Sequence, residues 1–149
     1  MYKRILAPVD GSRASTRGLQ EAIGLAQARG VKLRLLHVVD ESVLTLHPEA
    51  IAGTGEMIDS FVAAGKRCLK NAVALASRHG VKCETAMYEN MTGRVADFIL
   101  SEAKKWRADL IVMGTHGRRG FEHVLLGSDA EAVVRSSTVP VLLVRGRRR

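Results

Sequence analysis

The chain has 149 residues, 46% of them apolar, and two cysteines, which suits one domain with its own core and excludes a disulfide scaffold. Basic residues outnumber acidic ones by 23 to 15, but four of the last five residues are arginine and the other charges are interspersed along helices. With aromatics at 4%, this reads as a solvated face and a short basic tail, not as a nucleic-acid interface.

No apolar run approaches the roughly 20 residues of a membrane span, and the first residues lack the hydrophobic region of a signal peptide. A cytoplasmic protein without a membrane partner is expected. The histidines, His37, His47, His79, His116 and His123, show no i, i+4 pairing, so the sequence assigns no metal site. Cys68 and Cys83 lie too far apart for a CxxC pair and read as buried, reduced hydrophobes.

Residues 3–9 form an apolar run that ends in Asp10-Gly11-Ser12, a strand followed by a turn into a helix. Leu19, Ala22, Ile23 and Ala26 then recur at helical spacing, and Gly30 closes the segment. The second strand is read over 32–38, ending at Val39-Asp40. After the irregular stretch 41–53, Met57, Phe61, Ala64, Cys68, Ala72 and Leu75 predict a long amphipathic helix stopped by Gly80.

The third strand, 81–88, carries Lys82, Glu84 and Thr85 and reads as a half-exposed edge. A helix opening at Gly93 follows, with Val95, Phe98, Ile99, Ala103 and Trp106 on one side. Leu110-Ile111-Val112-Met113 is apolar throughout and belongs at the centre of a sheet. A glycine-broken loop, a helix over 128–135 and a last strand over 139–144 complete the chain. Strands alternating with helices predict an α/β fold with a parallel sheet and right-handed crossovers.

The loop after the fourth strand concentrates the chemistry. Gly114 and Gly117, then Gly127-Ser128 after nine intervening residues, offer close backbone approach and the amide end of a helix, which together favour an anion. Neither a Walker Gly-x4-Gly-Lys-Ser/Thr nor a dinucleotide Gly-x-Gly-x2-Gly is present. The spacing Gly-x2-Gly-x9-Gly-Ser, read in GTHGRRGFEHVLLGS, resembles the ATP-binding branch of the universal stress protein family. KRILAPVDGS, LLHVVD and VPVLLVR match that family in the same order, so the resemblance spans nearly the whole chain.

The resemblance implies a universal stress protein domain over 1–145 with a basic tail at 146–149. It implies a single doubly wound open sheet of five parallel strands, order 3-2-1-4-5, with helices on both faces. That order puts the polar third strand at an edge and the reversal of winding between the first and fourth strands, where ligands bind. The implied function is an ATP-binding switch or sensor in a stress response, with Mg or Mn accompanying the nucleotide and ATP hydrolysis at most weak. No catalytic residue is assigned, and an ATPase or adenylyl-transfer enzyme stays open as the alternative. A flavodoxin-like module holding a flavin phosphate on Ser12, Ser15 and Thr16 is disfavoured by the position of the glycines.

The implied ATP contacts are Pro8, Val9 and Asp10 at the end of the first strand, the backbone of Val38, and Met113, Gly114, His116, Gly117, Gly127, Ser128 and Asp129. Arg118 and Arg119 would neutralise phosphate or form a solvated basic face. Several of these residues also have local readings. Asp10 fits an Asx turn, His116 would shape its loop, and Ser128 with Glu131 forms a capping box. Asp129 departs from the small or β-branched residue usual after Gly-Ser, and Asn90-Met91-Thr92 replaces a common glycine turn. The resemblance also implies a homodimer in which the last strand, with Val139, Val141, Leu142, Leu143 and Val144, pairs antiparallel with its copy, Pro140 lying at the start of the pairing.

Overall fold

The computed structural model describes residues 1–28, 30–41, 54–90, 93–116 and 126–146. In chain order the elements are β1 (Arg4–Pro8), α1 (Arg13–Ala26), β2 (Lys32–Asp40), α2 (Thr54–Arg78) and β3 (Cys83–Asn90). They continue with α3 (Val95–Trp106), β4 (Leu110–Gly114), α4 (Ser128–Ser136) and β5 (Val141–Val144). The five strands form one sheet in the order β3-β2-β1-β4-β5, and every neighbouring pair is parallel. The expected fold class and strand order are therefore present.

The strand pleat divides the core in two. Ile5, Ala7, Leu33, Leu35, Leu110 and Val112 face α1 and α2, meeting Leu19, Ile23, Leu69, Ala72 and Ala76. Leu6, Leu36, Ile111 and Met113 point the other way, against Ile99, Ala103 and Trp106 of α3 and Ala130 and Val133 of α4. Central strands buried on both faces read as continuous apolar runs, which is why Leu110 to Met113 showed no alternation.

The long helix buries a stripe rotated from the expected one. Gly65, Leu69, Ala72 and Ala76 face inward, Cys68 and Leu75 flank them, and Met57 is exposed. Gly65 shows why: a Cβ there would lie 2.7 Å from Cδ2 of His37, so the helix rests on β2 where a side chain is missing. Cys68 and Cys83 are only partly buried, contrary to expectation. Gly80 does stop α2, at φ 73°, with the amide of Val81 donating to the carbonyl of Ala76 at 3.0 Å as in a Schellman cap. At two further helix boundaries the structure differs: α1 ends at Ala26, before Gly30, and α3 starts at Val95 because Arg94, not Gly93, is its N-cap.

The polar edge strand is held by a charge cluster. Arg34 donates from Nη1 to Oε1 of Glu102 at 2.5 Å and from Nη2 to Glu84, while lying 4.8 Å over the Trp106 ring. Glu102 is 1% exposed and takes a second hydrogen bond, from the Tyr88 hydroxyl at 2.6 Å. The Arg34 hydrogen bond holds the Glu84 carboxyl below the usual range, opposing the effect of burial. A buried carboxylate is tolerated only with such partners, so the cluster fastens β3, β2 and α3 together.

The tightest contact joins α1 to β4. A Cβ on Gly114 would fall 2.5 Å from the carbonyl carbon of Ala14, and one on Gly18 would fall 3.0 Å from the nitrogen of Gly114. Both are backbone atoms and cannot rotate away. Gly24, in the same helix, has nothing within 4 Å of the corresponding position. Gly114→Ala is therefore expected to lose about 3 kcal/mol of stability through overpacking, whereas Gly24→Ala should gain up to about 1 kcal/mol through helix propensity. Urea denaturation of both variants checks the contrast, and a Gly114→Ala protein as stable as its parent would contradict the packing account.

Candidate functional site

Parallel strands deliver their carboxyl ends to one side of a sheet, and the winding reverses between β1 and β4. A cleft of about 470 Å³ opens there. It receives the end of β1 with the turn after it, the end of β2, the end of β4, and the N-termini of α3 and α4.

The turn after β1 is built by short polar side chains. Asp10 accepts the amide of Ser12 at Oδ1 (2.8 Å), Ser15 Oγ accepts the amide of Asp10 (3.0 Å), and Ser12 Oγ accepts the amide of Ser15 (3.1 Å). Ser12 is thereby the N-cap of α1, and Asp10 makes the Asx turn that its position suggests. The Ser12 hydroxyl also lies 3.4 Å from the carbonyl of His116, tying this turn to the loop after β4.

Beside it, His37 is buried in β2 and its Nδ1 is 2.8 Å from the carbonyl of Val9. A carbonyl can only accept, so Nδ1 carries the hydrogen. The Val9 amide donates to Leu36 at 2.8 Å, so both backbone groups of Val9 are held by β2. At the far end of that strand, burial pushes the Glu41 carboxyl up and the Glu89 carboxylate adds to the effect.

On the other side of the switch point, the Thr115 amide donates to Val144 (3.0 Å) and its carbonyl accepts the amide of Gly127 (2.7 Å). Thr115 thus joins β4, β5 and the start of α4, while its hydroxyl lies 2.9 Å from Nδ1 of His116. Gly127 is the N-cap of α4 at φ −70°, ψ 154°, and no side chain makes the cap hydrogen bond. The capping box between Ser128 and Glu131 is therefore not formed. With Gly127 holding the extended cap conformation, Ser128 becomes the first helical residue, and Glu131 accepts from Arg135 at 2.5 Å instead. Nor does Gly127 need a positive φ.

Gly114 has a packing role as well. The side a Cβ would occupy faces α1, so packing against the helix by itself requires glycine here. N-cap Arg94 of α3 likewise makes no side-chain cap. Two helices thus begin at this cleft without side-chain caps, and first-turn amides and the positive dipole end favour an anion.

Pro8, Val9, Asp10, Val38, Met113, Gly114, His116, Gly127, Ser128 and Asp129, expected from the sequence, all line this one cleft. Gly117, Arg118 and Arg119 lie outside the described residues. The sequence reading passed over Ser15, His37, Asp40, Phe61, Arg94 and Thr115, which also line it. Ser15 was visible in the Ser/Thr cluster after the first strand. Phe61 and Arg94 enter only through tertiary packing and left no local signal. Among the described residues no group of three or more His, Cys, Asp or Glu is placed to hold a metal ion, and no helix is long and apolar enough to cross a membrane.

A doubly wound parallel sheet with an anion-favouring crevice at its switch point defines a class of α/β ligand-binding folds. Within that class the Universal stress protein family matches residues 1–145, and the chain belongs to it. It is 38% identical to Universal stress protein MJ0531 of Methanocaldococcus jannaschii over 97% of this chain and 83% of that one. Among solved structures it is similar to universal stress protein UspA from Lactobacillus plantarum, with a TM-score of 0.83 and 28% identity over 97% and 98% of the two chains. A universal stress protein from Archaeoglobus fulgidus in complex with dAMP superposes with a TM-score of 0.70 at 25% identity, covering 96% and 98%. A different universal stress protein, solved in complex with cAMP, gives a TM-score of 0.67 at 26% identity, covering 98% of each chain.

Proposed function

We propose that this protein binds an adenine nucleotide, ATP with Mg or Mn, in the switch-point cleft and acts in the cytoplasm as a nucleotide-occupied switch in a stress response. The observation that carries the reading is the convergence on one cleft of two helix starts without side-chain caps, the Asp10 turn and the strand ends of β1, β2 and β4. The dAMP and cAMP complexes of the two relatives support the adenine assignment.

In this reading adenosine lies against Val9, Asp10 and Val38, with Asp10 accepting from the ribose or the adenine edge. The phosphates lie toward Gly127, Ser128 and the motif residues Gly117, Arg118 and Arg119. His116 fits the loop-shaping role expected of it, with Nδ1 beside the Thr115 hydroxyl and its carbonyl 3.4 Å from the Ser12 hydroxyl. ATP hydrolysis or adenylyl transfer is the competing reading, and repeated release of ADP or AMP per site would establish it.

Ligand linkage provides the test. At MgATP about a hundredfold above its dissociation constant the protein should gain roughly 2.7 kcal/mol of stability, and CTP should give much less because adenine is read by the strand ends. Thermal melts with each nucleotide decide, and equal stabilisation by ATP and CTP would defeat the adenine assignment.

The same reading includes a homodimer through β5. This strand is the sheet's second edge, with Leu142 39% exposed, and Val134 of the adjoining α4 is 47% exposed. An unpaired apolar edge invites another strand, and a two-fold antiparallel pairing closes at two subunits. Pro140 stands just before the strand, its carbonyl accepting from Ile111 at 3.0 Å, so it does not interrupt the edge. Light scattering should give a dimer mass for the parent and monomer or precipitate for Leu142→Pro. A parent protein monomeric at high concentration would refute the dimer.

A further inference from the structure

Where the ladder between β1 and β2 ends, backbone pairing gives way to a side chain. Pro8 and Leu36 are its last register pair, and the Val9 amide still reaches the carbonyl of Leu36 at 2.8 Å. The Val9 carbonyl is met by His37, whose Nδ1 lies 2.8 Å away. That nitrogen donates, because a carbonyl can only accept.

The other edge of the same peptide unit is held from α1. The amide of Asp10 donates to Oγ of Ser15 at 3.0 Å. His37 and Ser15 are 6% and 5% exposed, and both line the cleft. A peptide unit is planar, so a donor fixed to its oxygen and an acceptor fixed to its nitrogen leave it little freedom to rotate. The plane sets ψ of Val9 and φ of Asp10, and with them the direction in which the Asp10 side chain leaves the backbone. Asp10 Oδ1 then takes the Ser12 amide at 2.8 Å, which orients the carboxylate itself.

Both clamping side chains are themselves held. Over the His37 ring, a Cβ on Gly65 would lie 2.7 Å from Cδ2 and 2.9 Å from Nε2, so α2 rests directly on the imidazole. Ser15 belongs to the first turn of α1, where the N-cap Ser12 accepts its amide at 3.1 Å. Three elements, β2, α1 and α2, thus act on one peptide plane at the end of β1.

We infer that His37 and Ser15 are positioning residues for nucleotide binding, which clamp the Val9 to Asp10 peptide plane from its two edges and so hold the Asp10 carboxylate ready for the nucleoside. The inference rests on the nucleotide reading of the cleft. Neither residue need touch the ligand to do this. A group held in place beforehand loses less freedom when a ligand binds, so releasing the plane weakens binding even though every contacting residue is retained.

Calorimetric titration with AMP, together with hydrogen exchange of the Asp10 amide in the ligand-free protein, tests the clamp. His37→Leu fills much of the space of the ring without its donor, and should weaken AMP binding at least about tenfold and speed Asp10 exchange by at least about tenfold. His37→Asn is the rescue, since its amide nitrogen stands near the position of Nδ1 while nothing replaces Nε2, and it should bind AMP within about threefold of the parent. Ser15→Ala, on the other edge, should weaken AMP by a factor similar to that of His37→Leu, and melting curves establish that each variant is folded. Parent affinity in folded His37→Leu and Ser15→Ala, or Asp10 exchange unmoved by His37→Leu, would overturn the inference. So would His37→Asn binding no better than His37→Leu, which would assign the ring to packing alone. A parent that binds no AMP would instead overturn the nucleotide reading itself, and this inference with it.

Discussion

The approach of α1 to the end of β4 is the constraint on which the site depends. Gly18 and Gly114 let two backbones meet where any side chain would intrude, within 3.0 Å of backbone atoms on the opposite element. The start of α1 is thereby pressed against the end of β4, and the Asp10 to Ser15 turn comes beside Thr115 and His116. Close packing of this kind tolerates no added methyl group without a shift. The spacing of the two walls of the cleft is set by that contact rather than by the loop between them.

Two further devices hold the other walls. Thr115 bonds through its amide to β5 and through its carbonyl to the cap of α4, so one residue sets where the anion-favouring end of that helix lies. Helix α3 is fixed near its far end by Glu102, buried between Arg34 and Tyr88, and by Trp106, whose indole N–H donates to Glu84 at 3.1 Å. Ile99, one turn earlier, then sits fully buried beneath the cleft. Removing one member of a buried charge pair leaves the other uncompensated. The charge cluster at the β3 edge and the cleft are therefore mechanically linked through a single helix. At the opposite end of the sheet the Asp109 carboxylate accepts the amides of Lys3 (2.8 Å) and Arg4 (3.0 Å), pinning β1 beside β4.

What the sequence made legible was whatever depends on near neighbours or on burial. The unbroken apolar run of Leu110 to Met113 marked a central strand, Glu84 and Thr85 marked an edge, and Asp10-Gly11-Ser12 marked a turn. These properties are carried by pattern alone. Features set by distant partners were misread or missed. The need for glycine at 114 also comes from Ala14, a hundred residues earlier in the chain, a contact that no local pattern carries. Ser128 and Glu131 satisfied a capping box by spacing, but the cap position fell to Gly127 because the Thr115 carbonyl holds its amide. Met57 extended a helical stripe that the His37 side chain, by fitting under Gly65, turns away from it.

The central claim is that an adenine nucleotide occupies the cleft between the ends of β1, β2 and β4. Titrating isotopically labelled protein with AMP and following backbone amide resonances tests it most directly. The account predicts saturable shifts concentrated at Val9, Asp10, Val38, Gly114 and Ser128, with the β3 edge and the outer face of α2 unmoved. Shifts gathered instead around Glu84 and Lys105, or none that saturate, would contradict it.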